Sequence, residues 1–152
     1  MQPPFDPGDL RDADLQLRLL DFSLHSALGV PAYFFVMIDA ATGEELGNIN
    51  LRIQSTEEVL LYGGHAGYGV DPQHRGRHYA ARSVRLLMPL ARQLGINPLW
   101  ITCDPENAAS RRTLELAGAE LVEIVDVPEN HTIHMTGHPR KCRYRLSTDP
   151  EV

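Results

Sequence analysis

The most informative part of this sequence is the stretch Gly67-Tyr68-Gly69-Val70-Asp71-Pro72-Gln73-His74-Arg75-Gly76-Arg77-His78-Tyr79-Ala80. The stretch begins as a glycine-rich strand, passes through a short basic loop and enters a helix. The helix is predicted over residues 77–94, because its apolar residues recur every three or four positions and Gly95 follows as a terminator. The free N–H groups and the dipole of such a helix start attract anions, and Gly76 lets a phosphate approach the backbone.

Ahead of this stretch, the hydrophobic pattern predicts strands. Alternating or continuous apolar residues place them at 15–19, 32–38, 47–54 and 60–70. The last of these strands contains four glycines, which indicate either a bulge or the close approach of another backbone. Residues 21–31 fit a short helix and a loop equally well.

Beyond the first helix, the sequence predicts a strand–helix unit and two further strands. A short buried strand at 99–102 precedes a helix-start signal in which Asp104 and Asn107 both fit the capping position, and this second helix runs to Gly118. The closing strands are predicted at 121–127 and 143–146, with a polar, histidine-rich connection between them.

The length of 152 residues and the 43% of hydrophobic residues fit one compact domain. The fold class is therefore α/β: a single domain over residues 1–152, with a central mixed, mostly antiparallel twisted sheet flanked by helices. Residues 1–13 are expected to form a flexible lead-in and residues 148–152 a tail. The chain has no CxxC pair, no signal-peptide pattern and no apolar run near the roughly 18 residues of a membrane span. These features predict a cytoplasmic protein without membrane contact.

The net charge of −6 argues against nucleic acid as a partner, but the charge is unevenly distributed. Residues 59–112 carry seven arginines against three acidic residues, whereas the segments on either side are acidic. A basic segment in an acidic protein favours a small polyanion. Arg75 and Arg77 can contact phosphate, and Arg82, one helical turn further on, is expected to reach a second phosphate. The loop contains neither GxxxxGK[ST] nor GxGxxG, so ATP and NAD are disfavoured.

Two motifs in this region resemble those of the GNAT N-acetyltransferase superfamily. The family's acyl-CoA loop reads Q/R-x-x-G-x-G/A, and Gln73-His74-Arg75-Gly76-Arg77-His78 fits it except that His78 replaces the usual Gly or Ala. The second motif, N-x-x-(A/S) ahead of Y-x-x-x-G-F, is similar to Asn107-Ala108-Ala109-Ser110 with the later Leu114 and Gly118. Leu114 stands where the family usually has a tyrosine.

The resemblance implies transfer of an acetyl group from acetyl-CoA to a primary amine of a small molecule or a protein. The pantetheine arm would pair like an added strand along Tyr68 to Val70, and a backbone N–H near Val70 would polarise the thioester carbonyl. The implied acetyl-CoA contacts are Tyr68, Val70, Arg75, Gly76, Arg77, His78, Tyr79, Ala80, Asn107 and Ser110. The acceptor pocket is expected from the loops 21–31, 54–58 and 128–140. A monomer and a homodimer fit equally well.

Acetyl transfer requires a base for the amine and, in the family, often uses a tyrosine as acid for the leaving thiolate. His65 and Tyr68 are the catalytic candidates here. A histidine titrates in the useful range, although the side chain of His65 fits a structural hydrogen bond equally well. The absent tyrosine and the unusual His78 leave a second hypothesis open, in which the protein is a non-catalytic acyl-CoA-binding module on the same fold.

Four potential zinc ligands lie in the histidine-rich connection and the strand that follows it: His131, His134, His138 and Cys142. Their spacing would align them only on a continuous helix, which Gly137 and Pro139 interrupt, so no metal is predicted. An RNA-binding role is disfavoured by the negative net charge and an aromatic content of 7%.

Overall fold

The computed structural model describes residues 1–149 and contains eight strands and three α-helices in that part of the chain. In chain order they are β1 (Leu10–Asp12), β2 (Leu15–Leu24), β3 (Pro31–Asp39), β4 (Glu45–Arg52), β5 (Ala66–Val70), α1 (Tyr79–Gln93), β6 (Leu99–Cys103), α2 (Ala108–Leu116), β7 (Glu120–Asp126), α3 (Thr132–Met135) and β8 (Arg140–Leu146). Among these residues, no helix is long and apolar enough to cross a membrane.

The predicted α/β class is confirmed, with the strands divided between two antiparallel sheets. Strands β1 to β5 form a five-stranded sheet in sequence order, and β6, β8 and β7 form a three-stranded sheet in that order. The two sheets meet where β5 and β6 begin. At this junction the backbone N–H of His65 donates to the carbonyl oxygen of Trp100 at 2.6 Å. Beyond this point the two strands belong to different sheets, and a gap lined by both opens between them.

Helix α1 joins the two sheets through its apolar stripe. Val84, Leu87 and Ala91 of this stripe have no exposed surface, and they share one core with residues of both sheets such as Leu51 and Ile101. Burial of a valine or leucine side chain contributes about 1.5–3 kcal/mol to stability. The core therefore fixes the start of α1 relative to the end of β5.

The prediction of a single strand over residues 60–70 is wrong for its first half. Val59–Gly63 forms one π-helical turn, and only Ala66–Val70 is extended. Distant side chains satisfy the carbonyl groups of this turn, with Arg143 bonded to Leu60 O at 2.8 and 2.9 Å and Arg52 to Gly63 O at 2.9 Å. These tertiary hydrogen bonds replace the strand ladder that the apolar pattern predicts.

The glycines of this region indicate either a bulge or the close approach of another backbone, and the structure shows the close approach. Gly64 has a φ of +76°, and a Cβ there would lie 3.0 Å from the backbone of Ile101. The register between β4 and β5 runs without a shift from Gly47↔Val70 to Leu51↔Ala66, so this pairing has no bulge.

The chain ends are more ordered than predicted. Leu10–Asp12 of the expected lead-in forms β1, which pairs with β2, and Tyr33 Oη bonds to both backbone groups of Phe5. At the other end Thr148 is buried and its hydroxyl donates to Ile96 O at 2.7 Å. Residues 150–152 of the predicted tail lie outside the described residues. The ambiguous segment 21–31 is strand as far as Leu24, followed by a turn.

Candidate functional site

A cavity of about 380 Å³ lies between the end of β5, the loop into α1 and the first turns of α2. We call it the first cavity. Its lining residues are Tyr68, Gly69, Val70, His74, Arg75, Gly76, His78, Tyr79, Ala80, Asn107, Ala109, Ser110 and Thr113. The lining includes all the residues predicted to contact acetyl-CoA except Arg77. Among the lining residues not predicted as contacts, Thr113 follows from helical spacing after Ser110 and Gly69 is one of the glycines that indicate close approach, whereas no sequence signal distinguishes His74 or Ala109.

One wall of the first cavity is an unpaired strand edge. The N–H of Asp71 donates to Leu46 O at 2.9 Å, toward β4. Because backbone groups alternate in direction along a strand, those of Tyr68 and Val70 point to the other side, and β5 is the last strand of its sheet. Val70 O accepts one hydrogen bond from Arg75 Nε at 3.3 Å. An extended ligand can therefore add to this edge as a further strand.

The strand edge leads to the start of α1, which no side chain of residues 1–149 caps. Gly76 and His78 both have a positive φ, +97° and +60°. A Cβ on Gly76 would meet no atom of the described residues within 4 Å, so the backbone angle alone favours glycine there. Tyr79 and Ala80, whose N–H groups belong to the first helical turn, line the cavity. The start of α1 thus presents unpaired donors and the positive end of the helix dipole to a ligand.

The three arginines predicted near phosphate have different positions. Arg75 lines the first cavity, whereas Arg77 is exposed and does not. Arg82 is held by ion pairs to Asp12 at 2.7 Å and Asp14 at 2.6 Å, and its hydrogen bond lowers the pKa of Asp14. The expected reach of Arg82 to a second phosphate is therefore wrong, because β1 and the turn after it occupy its guanidinium.

Helix α2 forms the opposite wall. The side chain of Asn107 caps it by accepting the N–H of Ser110 at 3.0 Å, which settles the capping alternative in favour of Asn107. Leu114, at the position where a tyrosine is usual in the resembled family, is completely buried and belongs to the core.

Tyr68 extends from β5 to α2. Its hydroxyl lies 2.8 Å from Ser110 Oγ, where either group can donate. Burial raises the pKa of Tyr68 to about 12, so its hydroxyl is protonated at neutral pH. The pair forms part of the wall between the first cavity and a second one.

The second cavity occupies the gap between β5 and β6 and measures about 270 Å³. It shares Tyr68, Asn107 and Ser110 with the first. Its other lining residues are Arg52, Gly63, Ala66, Gly67, Thr102, Cys103, Asp104, His138 and Lys141. Its lining includes a carboxylate, that of Asp104, which the lining of the first cavity lacks, and His138 brings the predicted acceptor loop 128–140 to its rim.

Arg52 is the buried cation of this second cavity. It is 8% exposed, and burial lowers its pKa to about 10. Its Nη1 donates to Gly63 O and Gly64 O at 2.9 and 3.1 Å, and its Nη2 lies 3.2 Å from His25 Nε2. The Arg52 guanidinium is therefore held by backbone carbonyl groups. It forms no ion pair with a carboxylate of residues 1–149.

His65 lies outside both cavities, at the junction of the two sheets. It is 1% exposed, its Nδ1 accepts the N–H of Trp100 at 2.9 Å, and its Nε2 lies 3.0 Å from Ser55 Oγ. Burial and then the charge of Arg52 lower its pKa to about 4. Because its imidazole is buried and both ring nitrogens have partners, His65 fits the role of a structural hydrogen-bonding residue better than that of a general base.

The histidine-rich connection does not gather its potential ligands. His131 caps α3, His134 Nδ1 lies 2.9 Å from Val127 O, and His138 pairs with Asp104. Cys142 is buried in β8 opposite Cys103. Within residues 1–149, no three His, Cys, Asp or Glu side chains are grouped so that they could hold a metal ion.

A family model described as an acetyltransferase (GNAT) domain matches residues 3–120. No curated protein is similar enough in sequence to be matched to this chain.

Solved structures share the fold at low sequence identity. A ribosomal-protein-S5-alanine acetyltransferase from Vibrio fischeri has a TM-score of 0.67 at 14% identity, over 93% of this chain and 97% of that one. An acetyltransferase of the GNAT family from Bacillus anthracis has a TM-score of 0.59 at 18% identity, over 76% and 66%. The microcin C7 self-immunity acetyltransferase, solved with acetyl-CoA and AMP, has a TM-score of 0.58 at 14% identity, over 76% and 61%.

Proposed function

The chain belongs to the GNAT acetyltransferase family, and from this premise we propose that it transfers the acetyl group of acetyl-CoA to a primary amine. The observation that carries the proposal is the continuity of the first cavity, in which the open edge of β5 leads directly to the uncapped start of α1. A ligand with an extended amide-containing arm and a pyrophosphate matches both parts of this wall at once.

Acetyl-CoA has both groups in the required order. Its pantetheine amides would pair with the backbone of Tyr68 and Val70, and its pyrophosphate would accept hydrogen bonds from the first turn of α1. Arg75 and His78 line the same end of the cavity and supply further donors to the phosphates. Gly69, whose Cβ would meet no atom within 4 Å, leaves room along the arm.

Tyr68 is proposed to assist the leaving thiolate. The ordinary pKa of a thiol is about 8.5, so the CoA thiolate leaves readily near neutral pH. With a pKa of about 12, the Tyr68 hydroxyl donates a hydrogen bond to the sulfur but transfers its proton only uphill. Solvent then completes protonation. This hydroxyl comes from β5, so it can act although Leu114 replaces the tyrosine of α2.

The alternative is a module that binds acyl-CoA without turnover, and a transfer assay separates the two. Purified protein is incubated with acetyl-CoA and a panel of amines: an alanine-initiated peptide, an Nα-blocked lysine, an aliphatic diamine and an arylamine. The peptide is included because the Vibrio fischeri structure is that of an acetyltransferase for ribosomal protein S5 alanine.

We expect release of CoA thiol with one of these amines and the matching acetylated product by mass spectrometry. Calorimetry on the same protein measures acetyl-CoA affinity. Binding without transfer to any member of the panel would favour the binding module, and the absence of binding would refute both readings.

A further inference from the structure

The second cavity contains an imidazole–carboxylate pair that no step of the proposed reaction has used. His138 Nδ1 lies 2.7 Å from Asp104 Oδ2. Burial alone would raise the pKa of Asp104, but its bonds to His138 and Lys141 outweigh this and lower it. Asp104 is therefore an ionised carboxylate that can only accept, so His138 Nδ1 carries the proton of this bond.

The tautomer leaves the other ring nitrogen free to take a proton. In neutral imidazole with a protonated Nδ1, Nε2 carries the lone pair. Within residues 1–149, no hydrogen bond to His138 Nε2 is found. The His138 side chain is 42% exposed and lines the cavity, so an entering amine can reach it.

The other ionisable groups around this cavity are poorly suited to accept a proton. Arg52 and Lys141 are cations, and Lys141 Nζ is bound to Asp104 Oδ1 at 3.1 Å. Burial raises the pKa of the Cys103 thiol to about 11 and that of Tyr68 to about 12, so both are protonated at neutral pH. Glu106 and Arg140 form an exposed ion pair at 3.2 Å, and neither lines the cavity. Among the lining groups, His138 has the available lone pair.

The second cavity also lies next to the expected position of the thioester. It shares the Tyr68–Ser110 wall with the first cavity, so an amine in it faces the place where Tyr68 would meet the thioester. We propose that the second cavity is the acceptor site and that His138, oriented by Asp104, is the general base for the amine. This inference rests on the proposed acetyl transfer.

The proton balance of the step is complete. His138 Nε2 removes one proton from the ammonium form of the acceptor, and the freed lone pair forms the C–N bond to the thioester carbonyl carbon. The C–S bond then breaks, and the thiolate receives the second nitrogen proton through solvent beside Tyr68. The imidazolium releases its proton to solvent, which leaves an amide, CoA thiol and one proton.

The test compares His138→Ala and Asp104→Asn with a control variant, His134→Gln, in which a histidine of the same connection that does not line the cavity is replaced. The probe is the primary amine that the wild-type protein acetylates fastest in the panel above. We expect both test variants to bind CoA as the wild type does. His138→Ala should lower kcat/KM by about a hundredfold or more at neutral pH, and added imidazole should restore part of that rate.

The pH profile separates a base and its positioning residue from merely structural ones. His138→Ala should abolish the acid limb of the kcat/KM profile, and Asp104→Asn should move that limb to lower pH, whereas His134→Gln should leave it in place. A His138→Ala protein with wild-type kcat/KM, or one whose loss shows neither imidazole rescue nor a changed profile, would overturn the inference and leave acetyl transfer standing. A wild-type protein that acetylates no amine refutes the proposed function and this inference with it.

Discussion

Replacement of His65 by asparagine tests how the two sheets are joined and why His65 is a poor base. The folded protein keeps this imidazole neutral, with a pKa of about 4, whereas a histidine in the unfolded chain has a pKa of about 6.5. Above the unfolded value both states are neutral and the contribution is fully present. Below it the unfolded chain binds a proton that the folded protein resists, so stability falls as the pH decreases toward 4.

The size of this effect follows from the two pKa values. Each pH unit between them removes up to about 1.4 kcal/mol, so acidification from about pH 7 to about pH 4.5 should remove roughly 2–3 kcal/mol through His65 alone. Asparagine lacks the titration, and its amide oxygen can still accept the N–H of Trp100. His25, whose pKa burial also lowers, is common to both proteins and cancels in the comparison.

Urea denaturation at a series of pH values measures this difference directly. The free energy of unfolding of the wild type minus that of His65→Asn should decrease by roughly 2–3 kcal/mol over this range. Parallel curves for the two proteins would show that His65 has an ordinary pKa when folded. That result would refute the argument that burial at the sheet junction keeps the ring neutral.

Three further predictions concern the first cavity. Gly76→Glu should abolish CoA binding in calorimetry, because it places a carboxylate against the phosphates. The control is Gly43→Glu, at a glycine with a similar φ of +78° and no atom of the described residues within 4 Å of its Cβ, and it should bind CoA normally. Equal CoA affinities of the two variants would place the ligand elsewhere. His78→Gly should raise the free energy of unfolding by up to about 1 kcal/mol in urea titrations, because it relieves the left-handed conformation, and a decrease would contradict that account. Tyr68→Phe should keep CoA affinity but slow transfer about tenfold or more through loss of a hydrogen bond to a charged sulfur, and an unchanged rate would remove Tyr68 from the reaction.

The sequence predicts the stretch from Gly67 to Ala80 well because its signals are local. Helical periodicity places α1 within two residues of the observed start at Tyr79, and the neighbouring glycines indicate an accessible backbone. The capping role of Asn107 follows for the same reason, since a cap bonds to the N–H three residues later.

Features that depend on distant residues could not be predicted this way. The turn at Val59–Gly63 depends on Arg143, which is 83 positions from Leu60, while its apolar residues alone fit a strand. The partner of His65 is Trp100, 35 positions away, and that of His138 is Asp104, 34 positions away. Hydrophobic periodicity carries no information about such contacts. The sequence alone therefore cannot distinguish the buried role of His65 from the role proposed for His138.

A crystal structure of the acetyl-CoA complex would locate the cofactor relative to both cavities. We expect the pantetheine arm to pair with the backbone of Tyr68 and Val70, the pyrophosphate to lie at the first turn of α1, and the thioester to lie beside the Tyr68 hydroxyl at the wall between the two cavities. Acetyl-CoA bound away from the edge of β5, or with its thioester remote from the second cavity, would contradict this placement.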